Sequence, residues 1–235
     1  MKRKFLLLTI ALSFAATLPS YAAETESVKG IQFRDIPWHS TKAEAEKILF
    51  SDPGVSANQF TDDEIYRLGA LDFYNVVSGD DYVKGGGVKV SYNGVTVAGY
   101  TPSDCHACYV FPITDQGYVN PSEDDAQFYL GWYGFSSNDF ADIPGIYTDL
   151  EKKLTSLYGD PAPASDDFKK TDTWSDQDGN TIELLQSAKN TYVQLGYIAP
   201  DADQLVDQAK AALEKAQAES EQEAREANAS NTDGL

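Results

Sequence analysis

The sequence predicts an α+β fold: two halves, each a helix plus an antiparallel meander, followed by a long C-terminal helix. Three observations carry this. A helix start stands in each half, capped at Thr41 in the first and marked by Pro144 in the second, runs of alternating apolar and polar residues follow it, and residues 201–235 are rich in Ala, Gln and Glu.

In the first half, residues 30–38 alternate in polarity until Pro37 stops the pattern, which predicts a strand. Thr41 and Glu44 fit a capping box, in which hydroxyl and carboxylate satisfy free backbone N–H groups at a helix start. The helix extends to about Leu49, with Ala45, Ile48 and Leu49 on one face, and Asp52, Pro53 and Gly54 end it. A second short helix is expected from Thr61 or Asp62, carrying Ile65, Tyr66 and Leu68. Residues 88–92 and 95–98 alternate on either side of Asn93 and Gly94, the dipeptide favoured in a type I′ turn, so a β-hairpin is expected there. Gly85, Gly86 and Gly87 read as a flexible lead into it. A third strand is expected over 108–114, with Pro112 marking an edge or a bulge.

In the second half, residues 126–135 read as a buried strand. A helix is expected to begin near Pro144, with Ile146, Leu150, Leu154, Leu157 and Tyr158 at helical spacing. Gly159 lies just past its end, and Pro161 prevents continuation. Strands are expected over 171–175, 181–186 and 191–197. The expected division is a signal peptide over 1–22, the halves 23–120 and 121–200, and an acidic helical tail over 201–235. Leu205, Ala209, Ala212, Leu213 and Ala216 give the tail a thin apolar stripe, so its first turns should dock and the turns after about Ser220 should fray.

Residues 1–22 have the layout of a cleavable secretory signal. Lys2, Arg3 and Lys4 precede an apolar run over 5–16, and Ser20 and Ala22 supply small residues at −3 and −1 of a cleavage site. The run is short for a bilayer core of roughly 30 Å. The mature chain is therefore expected to be secreted or extracytoplasmic, in a periplasm or at a cell surface, with no integral membrane segment once the signal is removed. Its 15 basic and 37 acidic residues give a net charge of −22, which disfavours nucleic acid as a partner.

One chemical motif stands out: Cys105, His106, Ala107 and Cys108. In an exported chain, two cysteines this close most simply form a local disulfide. A redox-active dithiol is the sharper reading, but such pairs sit at helix N-termini, whereas residues 109–111 read as strand. A metal site is disfavoured because adjacent residues rarely reach one tetrahedral ion and the sequence offers only one other histidine, His39. Asp176, Asp178 and Asn180 fail the register of a calcium loop and read as turn residues. No nucleophile-elbow motif or phosphate-cradling glycine loop is present, so neither a catalytic residue nor a cofactor is assigned. Phe128, Tyr129, Trp132 and Tyr133 crowd one expected strand. Strict alternation sets Phe128 and Trp132 on one face and Tyr129 and Tyr133 on the other. A strand covered on both sides explains this pattern, and an exposed aromatic face for a protein or glycan partner is the functional alternative.

The entry segment with its capped helix, Ala98-Gly99-Tyr100, the helix end over 154–161, and Trp174 followed by residues 181–184 together resemble a group of uncharacterised exported proteins from anaerobic, mostly Gram-positive bacteria. That group shares a G-I-P-W-G entry and a K-L-x-x-L-Y-G helix end. Here Asp35 and His39 stand in place of the two entry glycines. The halves also resemble, at the level of fold, the tandem modules of β-lactamase-inhibitor proteins. Neither resemblance carries over a catalytic residue. The expected function is that of an exported, non-catalytic binding or envelope-interaction module, with a thiol–disulfide or metal-binding role at Cys105–Cys108 as the alternative. The protein recovered after export is expected to begin at Ala23, which N-terminal sequencing or an intact mass checks directly.

Overall fold

The computed structural model describes residues 30–66, 82–113 and 122–230. The expected signal peptide, Leu68, Thr114 and the boundary between residues 120 and 121 lie outside them. Helix α1 (Lys42–Leu49) is followed by strands β1 (Ser56–Tyr66), β2 (Tyr82–Asn93), β3 (Asp104–Val110) and β4 (Gln127–Ser136). Helix α2 (Ile143–Tyr158) is followed by β5 (Ala162–Ser165), β6 (Lys169–Ser175), β7 (Thr181–Ser187) and β8 (Tyr192–Ile198). Both units are thus one helix and a four-strand meander. They share an eight-stranded antiparallel sheet in the order β1-β2-β3-β4-β8-β7-β6-β5, so the last strands of the units meet at its centre. Helix α3 (Ala202–Ser230) completes the α+β architecture.

Helices α1 and α2 cover the first face of the sheet, where Ala45, Leu49, Ile146, Tyr147, Leu150 and Leu154 join Val90, Ala107, Tyr133 and Leu195 in one core. Helix α3 covers part of the second face, packing Ala202, Val206 and Ala209 with Val83, Val110, Leu130 and Trp132.

The local helix signals are realised. Thr41 Oγ1 accepts the Glu44 N–H at 3.3 Å, and the Glu44 carboxylate accepts the Thr41 N–H at 3.0 Å, completing the capping box. Asp142 caps α2 through the Gly145 N–H at 2.9 Å, and Gly159 closes it with φ 84°. Trp174 Nε1 donates to the Gly159 carbonyl at 2.8 Å, pinning that helix end to β6. The tail helix lies across β2 beside the glycine stretch 85–87, where Leu213 comes up to Gly85. From residue 217 to 229 its side chains are exposed, and the helix runs on to Ser230.

Several expectations are corrected. Residues 30–38 form no strand: Arg34, Asp35 and His39 all take left-handed φ values of 51°, 59° and 64°, which breaks an extended run. The segment is instead a loop that drives Ile31, Phe33 and Ile36 into the core at 0 % exposure. The short helix expected from Thr61 is part of β1, because residues 56–66 pair along β2 and the ladder overrides local propensity. The hairpin about Asn93-Gly94 is absent. Residues 88–93 belong to β2, which pairs with β1 and β3, and Gly85–Gly87 lie inside that strand rather than leading to it. Gly94 instead permits a close approach of the chain: a Cβ there would fall 2.1 Å from the Gly54 carbonyl oxygen. The tight turn comes five residues later, where Ala98 (φ 52°) and Gly99 (φ 90°) are both left-handed and Val97 and Tyr100 exchange two backbone bonds. The third strand is shifted to Asp104–Val110, so Pro112 falls after it. β5, with Pro163 on the sheet's outer edge, has no sequence signal of its own.

Phe33 lies over Gly131 of β4, with its ring 5.0 Å from that of Tyr133 and 5.7 Å from that of Phe128. A Cβ at position 131 would come within 2.7 Å of the Phe33 ring. Gly131→Ala is therefore expected to lower stability by about 1–3 kcal/mol through overpacking, read as a shift of the urea midpoint at unchanged slope.

Candidate functional site

The cysteine motif lies on β3, and the strand's alternation separates its members. Cys105 joins the core of the first face and Cys108 that of the second. Both are buried and unbridged, so the expected local disulfide is not formed: a three-residue offset on a strand points the two side chains apart. Burial pushes the Cys105 thiol up to about 12, with Arg34 opposing the rise and Asp104 adding to it. Such a thiol supplies no thiolate near neutral pH. His106 shares the second face with Cys108 while Cys105 faces away, so the three do not converge on one ion.

The aromatic strand is β4, and it is buried on both faces, from Phe128 to Phe135. The expected parity holds only in part. Tyr109 pairs with Phe128 and Cys108 with Leu130, which leaves Tyr129 as the extra residue of a β-bulge. Phe128 therefore packs with Tyr133 on the first face, while Tyr129 and Trp132 pack on the second. None of the four offers an open aromatic surface: Phe128 and Tyr129 are 0 % exposed, Tyr133 2 % and Trp132 5 %.

What the second face does present is a polar row beyond the reach of α3. Four strands contribute to it. Ser91 of β2 stands opposite His106 of β3, and its hydroxyl lies 2.9 Å from His106 Nδ1. The imidazole stacks on Trp132 of β4 at 4.8 Å between ring centres. On its other side, Nε2 lies 3.5 Å from the carboxylate of Asp104, two residues back on the same face. Asp104 in turn accepts the Tyr192 hydroxyl, which is 3.0 Å from each carboxylate oxygen. That bond passes over β4 at Gly134, where a Cβ would fall 1.8 Å from the Tyr192 oxygen. Burial, then the Asp104 charge, raises the Tyr192 phenol above its ordinary range, which keeps it protonated and donating. The side chains of His106 and Asp104 remain 19 % and 33 % exposed, so the row is held in place yet reachable from solvent.

Ser91, His106 and Asp104 are the residue types of a nucleophile, a base and an orienting carboxylate. Their geometry differs from that of a catalytic triad in two respects. Ser91 lies near the end of β2 and pairs with His106 of β3, where the strand backbone serves the ladder and, among the described residues, no helix N-terminus or turn supplies an oxyanion site. The Asp104–His106 separation is also longer than a hydrogen bond. What the row offers is a fixed series of donors and acceptors: hydroxyl, imidazole, carboxylate and phenol.

Sequence analysis singled out His106 only within the cysteine motif and did not bring Ser91, Asp104 or Tyr192 to it. A two-residue spacing on a strand signals that Asp104 and His106 share a face. Nothing local signals that β2 and β8 bring Ser91 and Tyr192 to them. The other histidine, His39, meets Asp201 at 3.4 Å near the start of α3, well apart in the chain from this row.

The fold is that of an α+β protein of two helix-plus-meander units around one antiparallel sheet, with a row of polar side chains on its second face. No protein-family profile, curated protein or solved structure matches the chain, so the two resemblances rest on the short motifs and the order of elements alone. Asp35 and His39 both take the left-handed backbone that glycine adopts most readily. In the native protein at pH 8, neither cysteine is expected to react with iodoacetamide. Unfolding in guanidinium without reductant should expose two titratable thiols, and a count of none would restore the disulfide.

Proposed function

We propose that the chain is an exported, non-catalytic binding or envelope-interaction module whose contact surface is the polar row of Ser91, Asp104, His106 and Tyr192. The observation that carries this reading is that His106 is braced by Ser91, Asp104 and Trp132 while part of its ring stays open to solvent. Groups held in advance lose little freedom on binding, which favours recognition. The aromatic residues first considered for contact are spent on the core, so the polar row replaces them. Export rests on the signal layout of residues 1–22, and the acidic surface favours a protein or glycan over nucleic acid.

The test is co-sedimentation of the mature protein with purified peptidoglycan sacculi, before and after protease treatment of the sacculi. Retention on both preparations is the result expected for a glycan partner, and retention on untreated sacculi alone for a protein one. His106→Gln and Ser91→Ala should weaken retention by about tenfold or more, with melting temperatures within a few degrees of the parent. Absence of retention on either preparation, or equal retention of the variants, would overturn the reading.

A further inference from the structure

A second recessed surface lies on the opposite face of the sheet. Leu150, Leu154 and Leu157 of α2 run beside the tight turn at Ala98-Gly99, and Leu195 and Tyr197 of β8 form the floor of a groove of about 500 Å³. Small-molecule sites have volumes of roughly 300–1,000 Å³, a mainly apolar lining and a few placed polar groups. Leu150 and Leu154 are buried, but Leu157, the next residue along the row, is 65 % exposed and lies open on the groove.

The wall facing the helix is held in place. Val97 and Tyr100 exchange backbone bonds of 2.9 and 2.8 Å across the turn. Lys153 Nζ donates to the Ala98 carbonyl at 2.8 Å, and the Tyr100 hydroxyl donates to Asp149 at 2.9 Å. The left-handed Ala98 is kept in that conformation by a contact from α2 itself, so the turn and the helix form one preformed cleft.

The polar groups of the cleft are few and of one character. Among the described residues that line it, Lys153 is the one charged group and Ser156 the one hydroxyl besides Tyr197. The Lys153 ammonium has three N–H groups and gives two, to Ala98 and Asp149; it also lies 5.3 Å from the centre of the Tyr100 ring, and its side chain stays 45 % exposed at the cleft border. Asp149 is engaged by the same lysine and by Tyr100, and those bonds hold its carboxyl below the usual range. In a chain with 37 acidic residues, an apolar cleft bordered by a lysine and no lining carboxylate favours an anion at that border.

We propose that this cleft binds a single-chain anionic amphiphile, a fatty-acid-like carboxylate, with its alkyl chain against Leu157, Val97 and Tyr197 and its head at Lys153 and Ser156. This site is separate from the polar row and does not depend on the reading given to it. The test is calorimetric titration of the mature protein with dodecanoate and with dodecyltrimethylammonium, each kept below its micellar range. Dodecanoate should saturate one site and bind at least about tenfold more tightly than the cation of equal chain length. Leu157→Gln, at an exposed position, should weaken dodecanoate by about fivefold or more at an unchanged melting temperature. Lys153→Gln should erase the preference for the anion, and His106→Gln should leave binding unchanged. The proposal is overturned by lack of saturable dodecanoate binding, by equal affinity for the two head groups, or by insensitivity to Leu157→Gln.

Discussion

Strand β4 has to let another group pass over it on each face, and the rest of the molecule is arranged around that demand. On the first face the Phe33 ring occupies the space above Gly131, close enough that a single methyl would collide with it. On the second face the Tyr192 hydroxyl reaches Asp104 through the space above Gly134. Two glycines three residues apart on a strand point to opposite sides, so one short segment serves both crossings. Full burial of a phenylalanine is worth roughly 1.5–3 kcal/mol, so the loop that delivers Phe33 contributes substantially to a marginal total. The same strand pairs with β8, which makes it the seam between the two units.

The loop over residues 30–40 links the units as well. The Ile31 N–H donates to Asp176 in the turn after β6, while the end of the loop bonds to the start of β4 through His39 and Phe128. Asp176 also accepts from Asp178 and Asn180. Burial alone would raise its carboxyl, but the bonds from Asn180, Ile31 and Asp178 outweigh that and hold it low. Trp38 then stacks on Phe128 at 5.1 Å and touches both cores. An irregular segment can tie so many parts together because no ladder commits its backbone to one direction.

The two faces of the sheet divide the chemistry. The first is apolar beneath α1 and α2, with the Tyr92 and Tyr109 hydroxyls paired inside it at 2.9 Å. The second is apolar where α3 lies and polar where α3 has moved away. This division explains why the two cysteines and the aromatic run lose the roles their sequence suggests: all of them lie at covered positions. The groups proposed for contact are those beyond the edge of the tail helix and those in the cleft beside α2.

Signals carried within one turn of chain were legible in the sequence. The capping box at Thr41 and Glu44, the α2 limits at Pro144 and Gly159, and the alternation of β6, β7 and β8 each depend on neighbours a few residues away. The α+β class and the long tail helix follow from them. Whatever depends on a distant partner was decided by the tertiary structure. Residues 61–66 became strand because β2 pairs with them, and Gly94 lost its expected turn to a close approach by Gly54. The bulge at Tyr129 reversed the parity of Phe128, and the polar row exists only because β2, β3, β4 and β8 lie side by side. Composition and spacing determine what a segment prefers when alone. Which strand lies beside it, and therefore which face each side chain meets, is settled by contacts between residues as far apart as the 88 positions separating Asp104 from Tyr192.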